Sequence, residues 1–163
     1  MPNLVFQIVR TPSCRSTSSS FRFSASLMRR PETLRRPLAG YVPGAQVAIA
    51  LDPAASSFWD DGAYQLHGGH TSTQVLIDLY RDWCKRFPIV SIEDGLGEHD
   101  WDGFIAMNRA LGDRIQIVGD DLYVTNTALI ERGVAAEDEA PILACWRVQH
   151  PASMKPRRQS RGR

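Results

Sequence analysis

Phe87-Pro88-Ile89-Val90-Ser91-Ile92-Glu93-Asp94-Gly95-Leu96 and, one helix's length further on, Ile115-Gln116-Ile117-Val118-Gly119-Asp120-Asp121 decide the fold. Each is a short apolar run that stops abruptly at carboxylates. A buried strand whose C-terminal end opens onto a polar site has this form. Val47-Ala48-Ile49-Ala50-Leu51-Asp52 repeats it upstream. Strands alternating with helices predict an α/β fold with parallel βα units. In such sheets the site lies at the C-terminal strand ends, which puts Asp52, Glu93 and Asp120 or Asp121 on one rim.

The segments around these strands are readable too. Tyr41-Val42-Pro43-Gly44 marks a turn where the folded part begins. Trp59-Asp60-Asp61-Gly62-Ala63-Tyr64-Gln65-Leu66 reads as a hairpin with Asp-Gly at its turn, closed by Gly68-Gly69. Thr71 or Ser72 caps a helix over 73–86, with Val75, Leu76, Leu79, Trp83 and Phe87 as its apolar face. Asp100 or Asp102 caps a helix over 103–111 carrying Phe104, Met107 and Leu111 on one side. Thr125 or Asn126 caps a short helix over 127–132 that Gly133 closes. Pro141-Ile142-Leu143-Ala144-Cys145-Trp146 is a candidate fourth strand.

The net charge of +1 hides segregation. Residues 1–40 carry seven Arg and a single acid, Glu32; residues 41–146 carry six basic groups against seventeen acids; residues 147–163 carry six basic groups and no acid. This divides the chain into a basic Arg/Ser-rich leader (1–40) expected to be disordered, a folded domain (41–146) and a basic disordered tail (147–163). The leader's composition also matches an organelle transit peptide. An acidic domain argues against a nucleic-acid partner and is compatible with cation binding. No run reaches the length of a membrane span. Cys14, Cys84 and Cys145 lack metal or disulfide spacing and read as free thiols in a reducing compartment.

Three carboxylates on one rim repel one another, and a hard divalent cation removes that cost. Mg²⁺, bound by a few carboxylates plus water and substrate oxygens, fits such a sparse donor set. The simpler alternative is that these acids cap helices or sit in solvent. Neither a nucleophile elbow nor a glycine-rich phosphate loop is present. Trp101, between Asp100 and Asp102, reads as an amphipathic anchor at a helix start, or else as a contact to a partner subunit.

Ser91-Ile92-Glu93-Asp94-Gly95-Leu96 with Glu98-His99-Asp100-Trp101-Asp102-Gly103-Phe104, and Val118-Gly119-Asp120-Asp121-Leu122-Tyr123-Val124-Thr125-Asn126, resemble enolase (phosphopyruvate hydratase). Ala50-Leu51-Asp52-Pro53-Ala54-Ala55-Ser56 is similar to that family's first metal-ligand segment. The resemblance covers about Val47 to Val134. It implies an incomplete enolase-type, TIM-like α/β barrel. It also implies a Mg²⁺-dependent lyase that dehydrates 2-phosphoglycerate to phosphoenolpyruvate. The metal ligands it implies are Asp52, Glu93 and Asp120.

The departures weigh as much as the matches. Aligned without a gap, Cys145 occupies the position of the family's catalytic lysine, and a thiol cannot act as its amine base. No counterpart is found for the family's general-acid glutamates, its histidine, its Arg-Ser pair or its second lysine. Ser57 stands where the family usually has an acid, and Pro53 replaces a small residue. The expectation is a fragment that keeps metal-site residues and is inactive alone, unless complementary barrel pieces from another chain join it. A non-catalytic binding module and a truncated product that does not fold stably are the alternatives. The resemblance leaves room for a homo-oligomer. The family's glycolytic role points to the cytoplasm, and a transit peptide would point to an organelle.

Overall fold

The computed structural model describes residues 5–10, 22–23, 40–66 and 69–136. Among the described residues there are twelve strands and α-helices, and one 3₁₀ turn at Ala55–Phe58. Val5–Arg10 (β1), Arg22–Phe23 (β2) and Val47–Asp52 (β3) are followed by a hairpin of Trp59–Asp60 (β4) and Ala63–Leu66 (β5), then Gly69–Thr71 (β6). Thr73–Arg86 (α1), Ile89–Glu93 (β7), Trp101–Leu111 (α2), Gln116–Val118 (β8), Asp120–Tyr123 (α3) and Thr127–Ala136 (α4) complete the order.

The main sheet has the order β2-β1-β3-β7-β8, and β4-β5-β6 form a second, small sheet. β3, β7 and β8 run parallel, as the strand–helix–strand pattern requires. They form an open, barrel-like sheet rather than a closed ring. β1 lies antiparallel along all six residues of β3, from Val5 opposite Asp52 to Arg10 opposite Val47. β1 and β2 fall inside the leader expected to be without structure. For those two segments the expectation is corrected: the β-branched and aromatic residues of Val5-Phe6-Gln7-Ile8-Val9 suit a strand, and β3 offers an edge to pair with. The candidate strand 141–146, with Cys145, and the tail lie outside the described residues.

One side of the parallel sheet is the core. Ile49, Leu51, Ile92 and Ile117 pack against Leu76, Ile77 and Tyr80 of α1 and Phe104, Met107 and Leu111 of α2. The α1 face differs from expectation: Leu76, Ile77 and Tyr80 are buried, whereas Val75 is 58% exposed. The stripe is set by where α1 meets the sheet, and Tyr80, which the apolar count passes over, is its centre. Between Ile49 opposite Ile89 and Ala50 opposite Ser91, the register shifts by one residue. Val90 is the extra residue of this bulge and stands 41% exposed.

Turns and caps follow local chemistry. Asp61 and Gly62 both have positive φ, +45° and +80°, the conformation a two-residue hairpin turn needs. Ser72 caps α1, its Oγ accepting the Val75 N–H at 3.4 Å. Asp100 caps α2, its Oδ1 accepting the Gly103 N–H at 3.0 Å. The last helix departs from expectation: it runs on to Ala136, so Gly133 lies inside it rather than ending it. A Cβ at Gly133 would run into the hydroxyl and ring of Tyr123. The residue is glycine for close packing, not for termination.

Candidate functional site

The C-terminal ends of β3, β7 and β8 lie side by side. Leu51 pairs with Ile92, so Asp52 and Glu93 follow as neighbours on the sheet face opposite the helices. Glu93 pairs with Val118, and Asp120 stands two residues beyond Val118 as the first residue of α3. Asp52 and Glu93 are half-buried, and Asp120 is exposed. Ala50 and Ser91, paired on the same face, keep the floor beneath them small.

Three loops leave this rim and are tied to one another. The Asp94 carbonyl accepts the Ala55 N–H at 2.9 Å, and the Asp94 N–H donates to the Val118 carbonyl at 2.9 Å. The Asp94 carboxylate accepts the Asp121 N–H, at 3.1 and 3.2 Å to its two oxygens, and a further backbone bond from Asp120. Burial pushes this carboxyl up to about 7, against the pull of those N–H donors; the negative charges of Asp121 and Glu93 push the same way as burial. Asp121 is also raised, first by partial burial and then by Glu98 and Asp120 nearby. Sequence reading placed Asp94 in the motif and missed its role. Its one signal was an acid directly after a strand-end acid.

Left-handed backbone recurs where the chain leaves the rim. Ala54 has φ of +47°, Asp94 +45°, Val124 +40° and Thr125 +58°. Asp tolerates this region, but Ala, Val and Thr do so at a cost of roughly 1–2 kcal/mol each. Such strain persists only where the surroundings impose it. Gly95 meets a different constraint: a Cβ there would come within 2.7 Å of Ile92 Cγ2 and 3.2 Å of Met107.

A polar network anchors the loop that follows. The Tyr64 hydroxyl donates to Asp100 Oδ2 at 2.8 Å and accepts the Gly97 N–H at 2.8 Å. Thr73 Oγ1 donates to the same Asp100 oxygen at 2.7 Å. Tyr80 donates to the Gly95 carbonyl at 2.8 Å. Ser56 Oγ accepts the Glu98 N–H at 3.0 Å, joining the first loop to the second. Between them lies a cavity of about 160 Å³ lined by Ser56, Trp59, Gly97, Glu98, His99 and Asp100. Trp101 is accounted for within its own chain: it meets Tyr123 edge-on at 5.9 Å and carries the Arg132 guanidinium 4.0 Å above its ring.

The donor set is carboxylate only, which suits a hard cation. Its placement is less complete. Among the described residues, no three His, Cys, Asp or Glu side chains gather closely enough to hold a metal ion. Asp52 and Glu93 share one face of the sheet, while Asp120 belongs to the helical turn beyond it. Cys84 is a half-buried free thiol, and His70 and His99 are exposed. No helix among the described residues is long and apolar enough to cross a membrane.

Comparison with known proteins agrees with this architecture. The family model described as "Enolase, C-terminal TIM barrel domain" matches residues 33–145. Enolase 1 of Methylococcus capsulatus is 58% identical over 100 residues, covering 59% of this chain and 24% of that protein. Enolase 2 of Pseudomonas syringae pv. syringae is 52% identical over 98 residues, 59% of this chain and 23% of its own length. Enolase 1 of Methanospirillum hungatei is 46% identical over 108 residues, 65% of this chain and 25% of its own. The chain thus spans about a quarter of the length of these relatives. With its parallel strands leading to Asp52, Glu93 and Asp120, the chain belongs to the enolase family and carries part of its C-terminal barrel domain.

Proposed function

We propose that this chain retains the cation-binding side of an enolase site without the proton chemistry, and that alone it does not dehydrate 2-phosphoglycerate. The carrying observation is the rim itself: three parallel strands end side by side, two of them at Asp52 and Glu93 and the third two residues before Asp120. In this reading those three carboxylates are ligands for Mg²⁺, which when bound would supply concentrated positive charge to a substrate carboxylate. Among the described residues they are not gathered into a cluster, so Asp52, Glu93 and Asp120 would hold Mg²⁺ only after side-chain rearrangement, and weak binding is the expectation. What this chain's own residues do is limited. Asp52 and Glu93 present negative charge at the rim, and the tied loops keep that rim in place. With Cys145 at the lysine position, nothing serves as the amine that removes the α-proton.

The test is phosphoenolpyruvate absorbance with 2-phosphoglycerate and saturating Mg²⁺, paired with Mg²⁺ calorimetry on the wild type and Asp120→Ala. The expected results are no rate above background and a weak heat that Asp120→Ala abolishes. Identical heats in both proteins would sink the metal assignment. A rate that scales with protein and vanishes in Glu93→Ala would overturn the inactivity. The charge segregation favours a second reading, a binding module whose basic ends make the contacts. Deleting residues 147–163 would then abolish partner binding. The cytoplasm is the compartment this reading assigns; a fluorescent fusion that changes location when residues 1–40 are removed would refute it.

A further inference from the structure

We infer that Asp94 is a positioning residue that holds the three rim loops in register, although it is not itself one of the ligand positions. This rests on the reading above only for what the rim is for. The observation is that one buried residue, 5% exposed, bonds to all three strand ends at once. Its carbonyl accepts the Ala55 amide from the loop after Asp52, its amide donates to the Val118 carbonyl at the end of β8, and its carboxylate accepts the Asp121 amide.

The geometry shows why one residue can do this. A strand residue in extended conformation would send its amide and carbonyl to the two neighbouring strands and its side chain off the sheet. Asp94, at φ of +45°, has turned out of β7 while still bonding both neighbours with its backbone. That turn brings the carboxylate onto the first residues of α3. Asp tolerates the left-handed conformation where its side chain bonds locally, and the bonds to Asp120 and Asp121 hold it there. The side chain therefore fixes a backbone pose, and the pose in turn fixes Ala55 and Val118. Removing the carboxylate should release a loop it does not touch.

This separates a clamp from a local cap. A carboxylate that only caps the helical turn after β8 would affect Asp120 and Asp121. A clamp also affects Ala55, whose amide donates to the Asp94 backbone carbonyl. The experiment is amide hydrogen exchange on the metal-free full chain, comparing wild type, Asp94→Ala and Asp94→Asn. In Asp94→Ala, exchange is expected to accelerate about tenfold or more at both Asp121 and Ala55, the scale set by losing a hydrogen bond to a charged group. The Ile92 and Tyr80 amides should be unchanged. Asp94→Asn, which keeps one acceptor oxygen, should restore most of the protection at both sites. Acceleration confined to Asp120 and Asp121, or none at all, would overturn the clamp. If Asp94→Ala does not fold, the comparison of wild type with Asp94→Asn decides: a smaller acceleration shared by Asp121 and Ala55 supports the clamp, and an unmoved Ala55 refutes it. Mn²⁺ titration followed by electron paramagnetic resonance on the same samples keeps the two readings apart. Wild-type protein that binds no Mn²⁺ but shows the shared exchange pattern loses the metal assignment and keeps the clamp. Mn²⁺ binding with Ala55 unaffected by Asp94→Ala does the reverse.

Discussion

Asp100→Ala removes more than a helix cap, and the amount can be worked out. Asp100 Oδ1 takes the Gly103 N–H at the start of α2, while Oδ2 takes the hydroxyls of Tyr64 and Thr73. Losing the cap alone costs about 1 kcal/mol. Tyr64 is completely buried, so its hydroxyl proton would lose its acceptor without gaining water, a cost of roughly 1–3 kcal/mol. Thr73 is half-exposed and can turn to solvent. The expected loss is about 2–4 kcal/mol. Tyr64→Phe strips the acceptor from the buried Gly97 N–H and should cost roughly 1–3 kcal/mol. The Tyr64–Asp100 bond is counted in both single variants, so the double variant should fall short of their sum by about 1–2 kcal/mol. Asp100→Asn keeps the cap oxygen but turns Oδ2 into a donor, so the buried Tyr64 hydroxyl still loses its acceptor and the cost should be roughly 1–3 kcal/mol, without the cap loss. Urea unfolding followed by both far-ultraviolet circular dichroism and tryptophan fluorescence measures all four. A loss under about 0.5 kcal/mol for Asp100→Ala, or additivity within that margin, would refute the network.

Other consequences are as direct. Burial raises the hydroxyls of Tyr64 and Tyr80 above the usual tyrosine range. A raised folded value means stability is complete below the unfolded pKa near 10 and is lost as pH climbs above it. Ultraviolet titration should therefore show two of the four tyrosines ionising only together with alkaline unfolding. Early ionisation of all four would contradict their burial. Ala54→Gly relieves a left-handed backbone at φ of +47° and should raise stability by roughly 0.5–1 kcal/mol, read as a higher Tm; a lower Tm would show that the strain is absent. Gly133→Ala drives a methyl into Tyr123 and should cost about 1–3 kcal/mol, with Tyr123→Ala partly rescuing it. If the proposed Mg²⁺ site has a Kd near about 10 mM, Mg²⁺ at that concentration adds only about 0.4 kcal/mol. A large upward shift in Tm would mean that the carboxylates are better gathered than they stand here.

Much of the central fold was legible because its signals are local. Ser72, Asp100 and the Asp61-Gly62 turn act within a few residues of themselves. The apolar runs that end at Asp52 and Glu93 report a strand and its polar mouth together. What was missed depends on neighbours distant in sequence. Gly133 looked like a helix terminus because nothing in its segment reveals Tyr123 packed against it. Val75 looked apolar enough for the core, and only the sheet's position turns Tyr80 inward in its place. The strand Val5–Arg10 was hidden by an Arg- and Ser-rich setting, yet its partner β3 lies more than thirty residues away. At the site, sequence put three carboxylates at strand ends but could not say how closely they approach. That depends on the turn through Asp94, which no spacing rule encodes.

The pairing of β1 along the whole of β3 makes assembly polar. Among the described residues, one margin of the main sheet is β2, only two residues long, and the other is β8. Among the described residues the two margins differ in sense: a strand added beside β8 in the direction of β7 continues the parallel order, whereas β1 runs antiparallel to β3 and β2 covers only Phe6 and Gln7 of it. A barrel strand supplied from outside, being parallel to its neighbours, therefore matches the β8 margin and not the β1 margin.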